Sequence, residues 1–360
     1  MNGLDDVVAA ETVLSDVDGA AGRLVIRGHA VEELARGATF EDLAALLFDG
    51  FFDDLPAGDA FARALGEARV AVFERVAPHM AAFDGLDPVE ALRAGLALIP
   101  DGDGLVTALH LAAAPAVVTA AKLRRDRGEA PLAPDAALPH SADFLRMVRG
   151  RAPRPQEARA LDAYLVTVSD HGMNASTFAA RTAASTLAGL GSAVVAGLCA
   201  LKGPLHGGAP GPVLDMLDAI GQPGDARPWL EAALRRGDRL MGFGHRIYRV
   251  RDPRADALKA AIGRLGGSRA VSDRIALAEA VEKAALDLLR EAKPNRPLDT
   301  NVEFYTAVLL EALGFPPSAF TCVFAAGRVA GWIAHAREQV LTGRLIRPQS
   351  RYVGEMPRAA

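Results

Sequence analysis

The chain has 360 residues and a formal net charge of −4; 50% of its residues are hydrophobic and 23% are charged. This composition is typical of globular proteins, and the negative charge argues against a surface that binds nucleic acid. The two cysteines form no CxxC pair, and the acidic start MNGLDDVVAAET lacks the apolar core of a signal peptide. We therefore expect a reduced, cytoplasmic protein without disulfide bonds.

One uncharged stretch, TAASTLAGLGSAVVAGLCAL at 182–201, is long enough to cross a lipid bilayer. Most of its residues are Ala, Gly, Ser or Thr, and its larger residues recur every three or four positions. Such a pattern predicts a helix with one apolar stripe, packed closely against other helices inside a protein core. We therefore expect no contact with a membrane.

The helical period dominates most of the chain. Residues 273–292 place their apolar side chains on one helix face, and residues 157–180 and 318–342 follow the same pattern. Strand signals are scarce, but LVIRG at 24–28 follows the turn-like VDGAAG and predicts a short strand in a hairpin. Proline disfavours a helix in the segment 344–354, which we expect to be extended. The fold is therefore predicted to be mainly α.

Proline- and glycine-rich segments mark the predicted breaks between helices. They lie at 128–139, 150–155, 203–212, 221–228 and 293–300. The breaks at 203–212 and 293–300 enclose about 90 residues, a length that suits a small domain inserted into a larger one.

Three histidines lie in unusual sequence surroundings. His171 follows Asp170 in SDHGMNASTF, His206 is flanked by glycines and prolines in GPLHGGAP, and His245 lies in GFGHRIYRVRDPRADALK. Glycine beside a polar side chain often marks a place where a backbone or a ligand must come close. These imidazoles are therefore candidates for ligand contact, although a histidine in a helical protein is most often structural.

Charged residues in the last part of the chain complete the set of candidates. Glu303 lies in TNVEFYTAVLLEALG, at the start of an apparent helix capped by Thr300 or Asn301, where an ionised carboxylate is favoured. Arg328 lies in AAGRVAGW and Arg347 in RLIRPQS. Each residue alone has an ordinary structural explanation, so composition and spacing do not name a reaction.

Taken together, the motifs resemble the citrate synthase family. The matching segments follow the family's order and cover nearly the whole chain: 14–50, SDHGMNASTFAAR at 169–181, GPLHGGAP at 203–210, GFGHRIYRVRDPRA at 242–255, NVEFYTA at 301–307 and RPQSRYVGE at 347–355. The resemblance implies a mainly α, two-domain helical homodimer that closes over its substrates. Its large domain would comprise 1–211 and 311–360, and its inserted small domain would comprise 212–310.

The resemblance also implies a reaction. Enzymes of this family condense an acyl-CoA, usually acetyl-CoA, with oxaloacetate and then hydrolyse the thioester, which gives citrate and coenzyme A (CoA). CoA enters as the acyl-CoA substrate, and we expect neither a permanently bound cofactor nor a metal. The implied partners are a second copy of the chain, oxaloacetate and the acyl-CoA.

Three residues match the family's catalytic positions. His206 would hydrogen-bond the thioester carbonyl, and His245 would polarise the ketone of oxaloacetate. Glu303 would take the proton from the acyl α-carbon. A preorganised donor to the developing enolate oxygen and a positioned base are the two aids that such a weak carbon acid needs.

Five further residues match positions that bind the substrates. His171, Arg254 and Arg328 would hold oxaloacetate, since arginine forks suit a dicarboxylate. Arg347 would come from the partner subunit, and Arg249 would meet a phosphate of CoA.

Position 303 departs from the family, which has aspartate in a VDFY-like motif where this chain has NVEFY. Glutamate keeps the charge but adds a methylene, and a displacement of about 1 Å can matter to the rate. Two alternatives therefore stay open: a 2-methylcitrate synthase that uses propionyl-CoA, and a catalytically weak regulatory paralogue. A metal site of two histidines and a carboxylate is a third, which bound metal and loss of activity with a chelator would favour.

Overall fold

The computed structural model describes residue 4 and residues 7–207, 211–245, 247–248, 250–266, 269–293 and 298–356. Within these ranges the chain forms fifteen α-helices and three short strands. The prediction of a mainly α fold is therefore confirmed.

The helices follow one another along the chain with these bounds: α1 Val31–Gly37, α2 Phe40–Phe48, α3 Asp59–Val76, α4 Pro88–Leu96, α5 Leu105–Asp126, α6 His140–Arg149, α7 Pro155–Val168, α8 Ala175–Ala184, α9 Leu190–Leu201, α10 Gly211–Ile220, α11 Ala226–Arg236, α12 Pro253–Arg264, α13 Arg269–Ala292, α14 Val302–Ala312 and α15 Phe320–Thr342. Short 3-10 helices lie at Ala77–Phe83, Pro223–Asp225 and Pro317–Ala319.

A small antiparallel sheet precedes the helices. Its strands, in spatial order, are β1 Ser15–Asp18, β2 Arg23–Ile26 and β3 His29–Ala30. Ser15 pairs with Ile26, so the hairpin predicted around 24–28 is confirmed. The sheet lies close to the site described below, because Ser15 contacts the loop between α7 and α8.

The centre of the core is formed by α5 and α15. By length and composition alone, α5 and the segment Pro317–Thr342 could each cross a membrane, but 83% and 94% of their apolar windows are buried inside the protein. α5 packs against α3, α4, α6 and α15, while α15 also packs against α7, α8 and α9. Their apolar character therefore matches their place in the core.

The stretch 182–201 ends α8 and then forms α9. Of the predicted stripe, Leu190, Val194, Leu198 and Leu201 are buried, but Leu187 is 72% exposed. The prediction of one continuous helix is wrong at this point, because Leu187 lies in the turn between the two helices with a φ of +61°. At Gly197 an added Cβ would lie 2.8 Å from the ring of Trp332, so a glycine lets α9 and α15 touch.

The helical pattern predicted for 157–180 is wrong in its middle, where the helix is interrupted. α7 ends at Val168 and α8 begins at Ala175. Gly172 has a φ of +58°, and the side chain of Asn174 caps α8 by accepting from Ser176 N–H and Thr177 N–H. A left-handed residue followed by an N-cap ends one helix and starts the next, and the loop between them carries His171.

Two glycines bring α15 against this interruption. A Cβ at Gly327 would overlap the backbone of Leu165 in α7, and a Cβ at Gly331 would overlap the carbonyl oxygen of Ser169. The close approach places Arg328, which lies between them in sequence, beside the end of α7.

Helices α10 to α14 lie in and around the range predicted for the small domain, 212–310, since α10 begins at Gly211 and α14 ends at Ala312. From this range α12 packs against α1 and α7. The domain boundaries stay a prediction. After α15 the described residues 343–356 form no helix, as we expected for 344–354.

Candidate active site

The loop between α7 and α8 fixes His171 through its backbone. The N–H of His171 donates to Asp170 Oδ1 at 2.8 Å, and the next amide, Gly172 N–H, donates to Ser15 Oγ at 3.1 Å. His171 is only 6% exposed. With two consecutive amides anchored, the direction in which the imidazole leaves the loop is set.

The imidazole of His171 meets two rings from the segment before α12. Its Nε2 lies 3.1 Å from the Tyr248 hydroxyl, and its ring centroid lies 5.7 Å from that of His245. Burial lowers the pKa of His171 well below its ordinary value, and the charges of Arg254 and Arg328 lower it further. The ring is therefore neutral near pH 7.

His245 is held in one tautomer by backbone amides. Its Nδ1 accepts from Ile247 N–H and Tyr248 N–H, both at 3.0 Å, so the single hydrogen of the neutral ring is on Nε2. Burial, followed by the charge of Arg254, lowers the pKa of His245 to about 4. Arg254 Nη2 lies 3.2 Å from Nε2. Since both groups are donors, an acceptor on a bound molecule could bond to both.

Asp252 aligns the guanidinium of Arg254. Its carboxylate accepts from the backbone N–H, Nε and Nη2 of Arg254 at 2.9 to 3.0 Å, and from Val302 N–H at 3.1 Å. Val302 is the first residue of α14. One buried carboxylate therefore ties Arg254 to the helix that carries Glu303.

Arg328 is a buried guanidinium whose hydrogen bonds are incomplete. Its Nε donates to the carbonyl oxygen of Val168 at 2.6 Å, whereas its buried Nη1 has no hydrogen-bond partner among the described residues. Burial lowers its pKa to about 10, although the charge of Asp170 opposes the shift. An unpaired buried donor is costly, so this geometry fits an arginine that awaits an anion.

His206 shares its hydrogen bond with a network at the start of α8. Its Nε2 lies 2.9 Å from Ser176 Oγ. The same hydroxyl donates to Asn174 Oδ1 at 2.8 Å and accepts from Trp332 Nε1 at 3.1 Å. A hydroxyl has one hydrogen and two lone pairs, so His206 Nε2 carries the proton and donates to it here.

The ring of His206 is also neutral near pH 7. Burial, and then the charges of Arg328 and Arg254, lower its pKa to about 4. The ring stands edge-on to Phe324, with centroids 6.3 Å apart, and the guanidinium of Arg328 lies 4.9 Å from the same ring. Phe324 therefore separates and orients the two groups.

Glu303 follows the predicted cap, because Asn301 Oδ1 accepts from Glu303 N–H at 3.1 Å. Its carboxylate makes no hydrogen bond or ion pair with the residues that the structure describes. Burial raises the pKa of Glu303 to about 7; Arg254 lowers it and Asp252 raises it. The helix N-terminus favours the ionised form, but burial outweighs it, and the first amide of α14 is already bound by Asp252.

The structure thus brings together six of the eight predicted site residues: His171, His206, His245, Arg254, Glu303 and Arg328. Arg347 is exposed on the segment after α15 and lies outside this group. Arg249 lies outside the described residues. Within the described ranges, no group of three or more His, Cys, Asp or Glu side chains is arranged to hold a metal ion.

Four supporting residues were not singled out from the sequence: Tyr248, Asp252, Ser176 and Trp332. Only Asp252 had a usable signal, because an aspartate before proline is typical of a helix N-cap with proline at the first position. The other three act through contacts between distant segments.

Comparisons with known proteins agree with this arrangement. The family model for the citrate synthase C-terminal domain matches residues 3–349. A citrate synthase of Haloferax volcanii is 39% identical, over 98% of this chain and 95% of that protein. A 2-methylcitrate synthase of Mycobacterium tuberculosis is 34% identical, over 99% of this chain and 91% of that protein.

A solved structure extends the similarity to three dimensions. The citrate synthase of Thermoplasma acidophilum, in a ternary complex with carboxymethyl coenzyme A and oxaloacetate, superimposes with a TM-score of 0.84 at 29% identity. The match covers 99% of this chain and 97% of that one. The chain is therefore an enzyme of the citrate synthase family.

Proposed function

We propose that this enzyme condenses acetyl-CoA with oxaloacetate and water to give citrate and CoA. One observation carries the proposal: an unpaired carboxylate, Glu303, interacts electrostatically with two buried arginines, Arg254 and Arg328, amid three neutral imidazoles. This set supplies a base, two anion-binding groups and neutral donors. The reaction needs each of them.

Oxaloacetate would bind between the two arginines. Arg328 would turn its unpaired Nη1 to one carboxylate, and Arg254 would offer the guanidinium edge that Asp252 leaves free. The Nε2–H of His245 would then donate to the ketone oxygen and draw electrons from the carbon to be attacked. A neutral imidazole can serve as this donor, and burial keeps the ring of His245 neutral.

Glu303 would take a proton from the α-carbon of the acetyl group. Its pKa of about 7 suits a base that works near neutral pH. His206 would donate its N–H to the thioester oxygen as the enolate forms. In the structure that N–H is given to Ser176. We infer that the serine hydroxyl rotates from Asn174 to Nε2 when substrate binds, which shifts the ring proton to Nδ1.

The enol carbon would then attack the ketone carbon. The electron pair of the ketone passes to its oxygen, which takes the Nε2 proton of His245 and becomes the hydroxyl of citrate; solvent returns a proton to His245. Water adds to the citryl thioester, the carbon–sulfur bond breaks, and CoA leaves as the thiol. Arg347 would complete the site from a second subunit, since it is exposed on the segment after α15 and lies outside the site of its own chain.

A second candidate is the same chemistry with propionyl-CoA. Glu303 in place of aspartate supports it, because a base with a longer side chain alters the space beside the acyl carbon. The similarity to a 2-methylcitrate synthase supports it as well.

The deciding experiment measures CoA release from purified protein with oxaloacetate and either acetyl-CoA or propionyl-CoA. We expect a higher kcat/KM with acetyl-CoA. A preference for propionyl-CoA would favour 2-methylcitrate synthesis instead. Calorimetric binding of oxaloacetate without CoA release from either substrate would favour a regulatory paralogue.

A further inference from the structure

A buried chain of polar side chains runs from the His171 loop through the core. His335 Nε2 lies 3.1 Å from Asp170 Oδ2, and His335 Nδ1 lies 2.9 Å from Arg181 Nη1. Arg181 Nη1 also donates to Glu338 Oε2 at 2.5 Å. The four side chains are at most 3% exposed as residues, and none of them belongs to the predicted substrate-binding set.

The donor and acceptor of each hydrogen bond in this network follow from the chemistry of Arg181. A guanidinium only donates, so Arg181 gives a hydrogen to Nδ1 of His335. Nε2 then carries the ring hydrogen and donates to Asp170. Burial by itself raises the pKa of Asp170, but His335 and Ser15 lower it below its ordinary value. Asp170 is therefore an ionised, fully bonded acceptor.

One end of this hydrogen-bond network fixes the loop between α7 and α8 that carries His171. Asp170 accepts a hydrogen bond from the backbone N–H of His171. Asp170 is also hydrogen-bonded to Ser15, whose Oγ accepts from the N–H of Gly172. Both amides that define the His171 backbone are therefore attached to Asp170, one directly and one through Ser15.

At its other end the network contacts segments near the N-terminus and after α15. Glu338 Oε1 accepts from Val13 N–H at 2.8 Å. Gln339 Oε1 accepts from Arg181 Nε at 3.0 Å, and its Nε2 donates to the carbonyl oxygen of Arg344 at 2.8 Å. The network thus spans from the segment before β1 to the segment that carries Arg347.

We propose that His335, Arg181 and Glu338 are positioning residues, which set the affinity for oxaloacetate by fixing Asp170 and, through it, His171. The proposal rests on the proposed function, since it assigns oxaloacetate to the His171 side of the site. The network orients the imidazole of His171, and we place none of its residues in contact with the acyl-CoA.

The expected kinetic signature follows from that position. A displaced His171 weakens the binding of oxaloacetate in the ground state and the transition state alike, which raises KM without lowering kcat. A merely structural residue would behave differently: its loss lowers the fraction of folded enzyme, so the apparent kcat falls and KM stays the same.

The test compares two substitutions of His335. His335→Leu removes both hydrogen bonds, and the KM for oxaloacetate should rise about tenfold, the size of one lost bond to a charged group. His335→Gln can still donate to Asp170 and accept from Arg181, and should stay within about threefold of wild type. The KM for acyl-CoA should be unchanged in both.

His140 offers a matched control. It is also fully buried, but neither of its ring nitrogens has a hydrogen-bond partner among the described residues, and it stacks on Phe40 with centroids 4.5 Å apart. His140→Phe should leave both KM values unchanged. If His335→Leu does not fold, Glu338→Gln replaces it, with a smaller rise in KM expected.

Calorimetric titration of oxaloacetate in the absence of acyl-CoA separates the two proposals. Wild-type protein that neither binds oxaloacetate nor releases CoA would reject the proposed function. Wild-type protein that does both, together with a folded His335→Leu variant of unchanged KM and unchanged affinity, would overturn the positioning role alone.

Discussion

Glu282 and Glu303 are the same amino acid on neighbouring helices, yet their surroundings differ sharply. Glu282 in α13 is 4% exposed and accepts hydrogen bonds from four side chains: Lys259 Nζ at 2.7 Å, Tyr305 OH at 2.5 Å, Thr300 Oγ1 at 2.8 Å and Arg251 Nη2 at 3.1 Å. Glu303 in α14 has no such partner among the described residues.

The two pKa values move in opposite directions. Burial acts to raise both. At Glu282 the bonds from Lys259, Tyr305 and Thr300 and the charge of Arg251 more than offset it, and the pKa falls below its ordinary value. At Glu303 burial prevails and the pKa rises to about 7. The comparison teaches that the donors around a carboxylate, more than its depth, decide whether it can accept a proton.

The two residues also depend on each other. Thr300 and Tyr305, which Glu282 binds, flank Glu303 in sequence at the start of α14. The fully hydrogen-bonded carboxylate of Glu282 therefore fixes the first turn of α14, which carries the unpaired carboxylate of Glu303.

The strongest test of this contrast is Glu303→Gln. Removing the base should lower kcat by about 10²–10⁴-fold, the range of general base catalysis. Oxaloacetate should still bind, because the amide leaves Arg254 and Arg328 in place. Steady-state CoA release measures kcat, and calorimetry measures the binding of oxaloacetate. A variant with wild-type kcat would show that another group takes the proton.

Glu303→Asp should reduce kcat by about 10- to 100-fold, because displacements of about 1 Å can cost that much. Gly242 packs closely against Phe304, the residue after Glu303, since an added Cβ would lie 2.8 Å from its side chain, and this contact limits how far the start of α14 can shift. The shorter carboxylate is therefore withdrawn from the substrate. A higher kcat in the variant would mean that the methylene of glutamate misplaces the base.

Glu282→Gln should lower the free energy of unfolding by about 2 kcal/mol, because a buried partner of Lys259 and Arg251 loses its charge. Urea unfolding measures the change. Glu279→Gln, on the exposed face of the same helix, should change it by less than about 0.5 kcal/mol. Equal effects in the two variants would contradict the structural role of Glu282.

The pH dependence gives the smallest effect. Glu303 must be ionised to act, and its pKa in the free enzyme is about 7. Below that value kcat/KM should fall about tenfold per pH unit, and above it kcat/KM should level off. Asp162→Asn is the control, since burial also raises the pKa of Asp162 to about 7, and its carboxylate binds Ser141 and the amide of Phe40 instead of any site residue. A profile that shifts in this variant would assign the titration to Asp162.

Local sequence signals predicted part of this site well. The cap at Asn301, the hairpin near β2 and the apolar stripe from Leu190 onward each depend on neighbouring residues, and each is confirmed. The break that frees His171 was missed, although the polar stretch SDHGMN at 169–174 contains a glycine and an asparagine that mark the end of one helix and the cap of the next. The raised pKa of Glu303 was also missed, since it comes mainly from burial by segments that are distant in sequence.

The central pairing of α5 with α15 has a consequence for synthesis of the chain. α15 begins at Phe320, about 190 residues after α5 ends at Asp126. At about 5–20 residues per second, the face of α5 that packs against α15 stays uncovered for about 10–40 s, while α3, α4 and α6 are available earlier to pack against the helix. Nascent chains are therefore expected to need chaperone protection, and a chain truncated before α15 is expected to aggregate on expression.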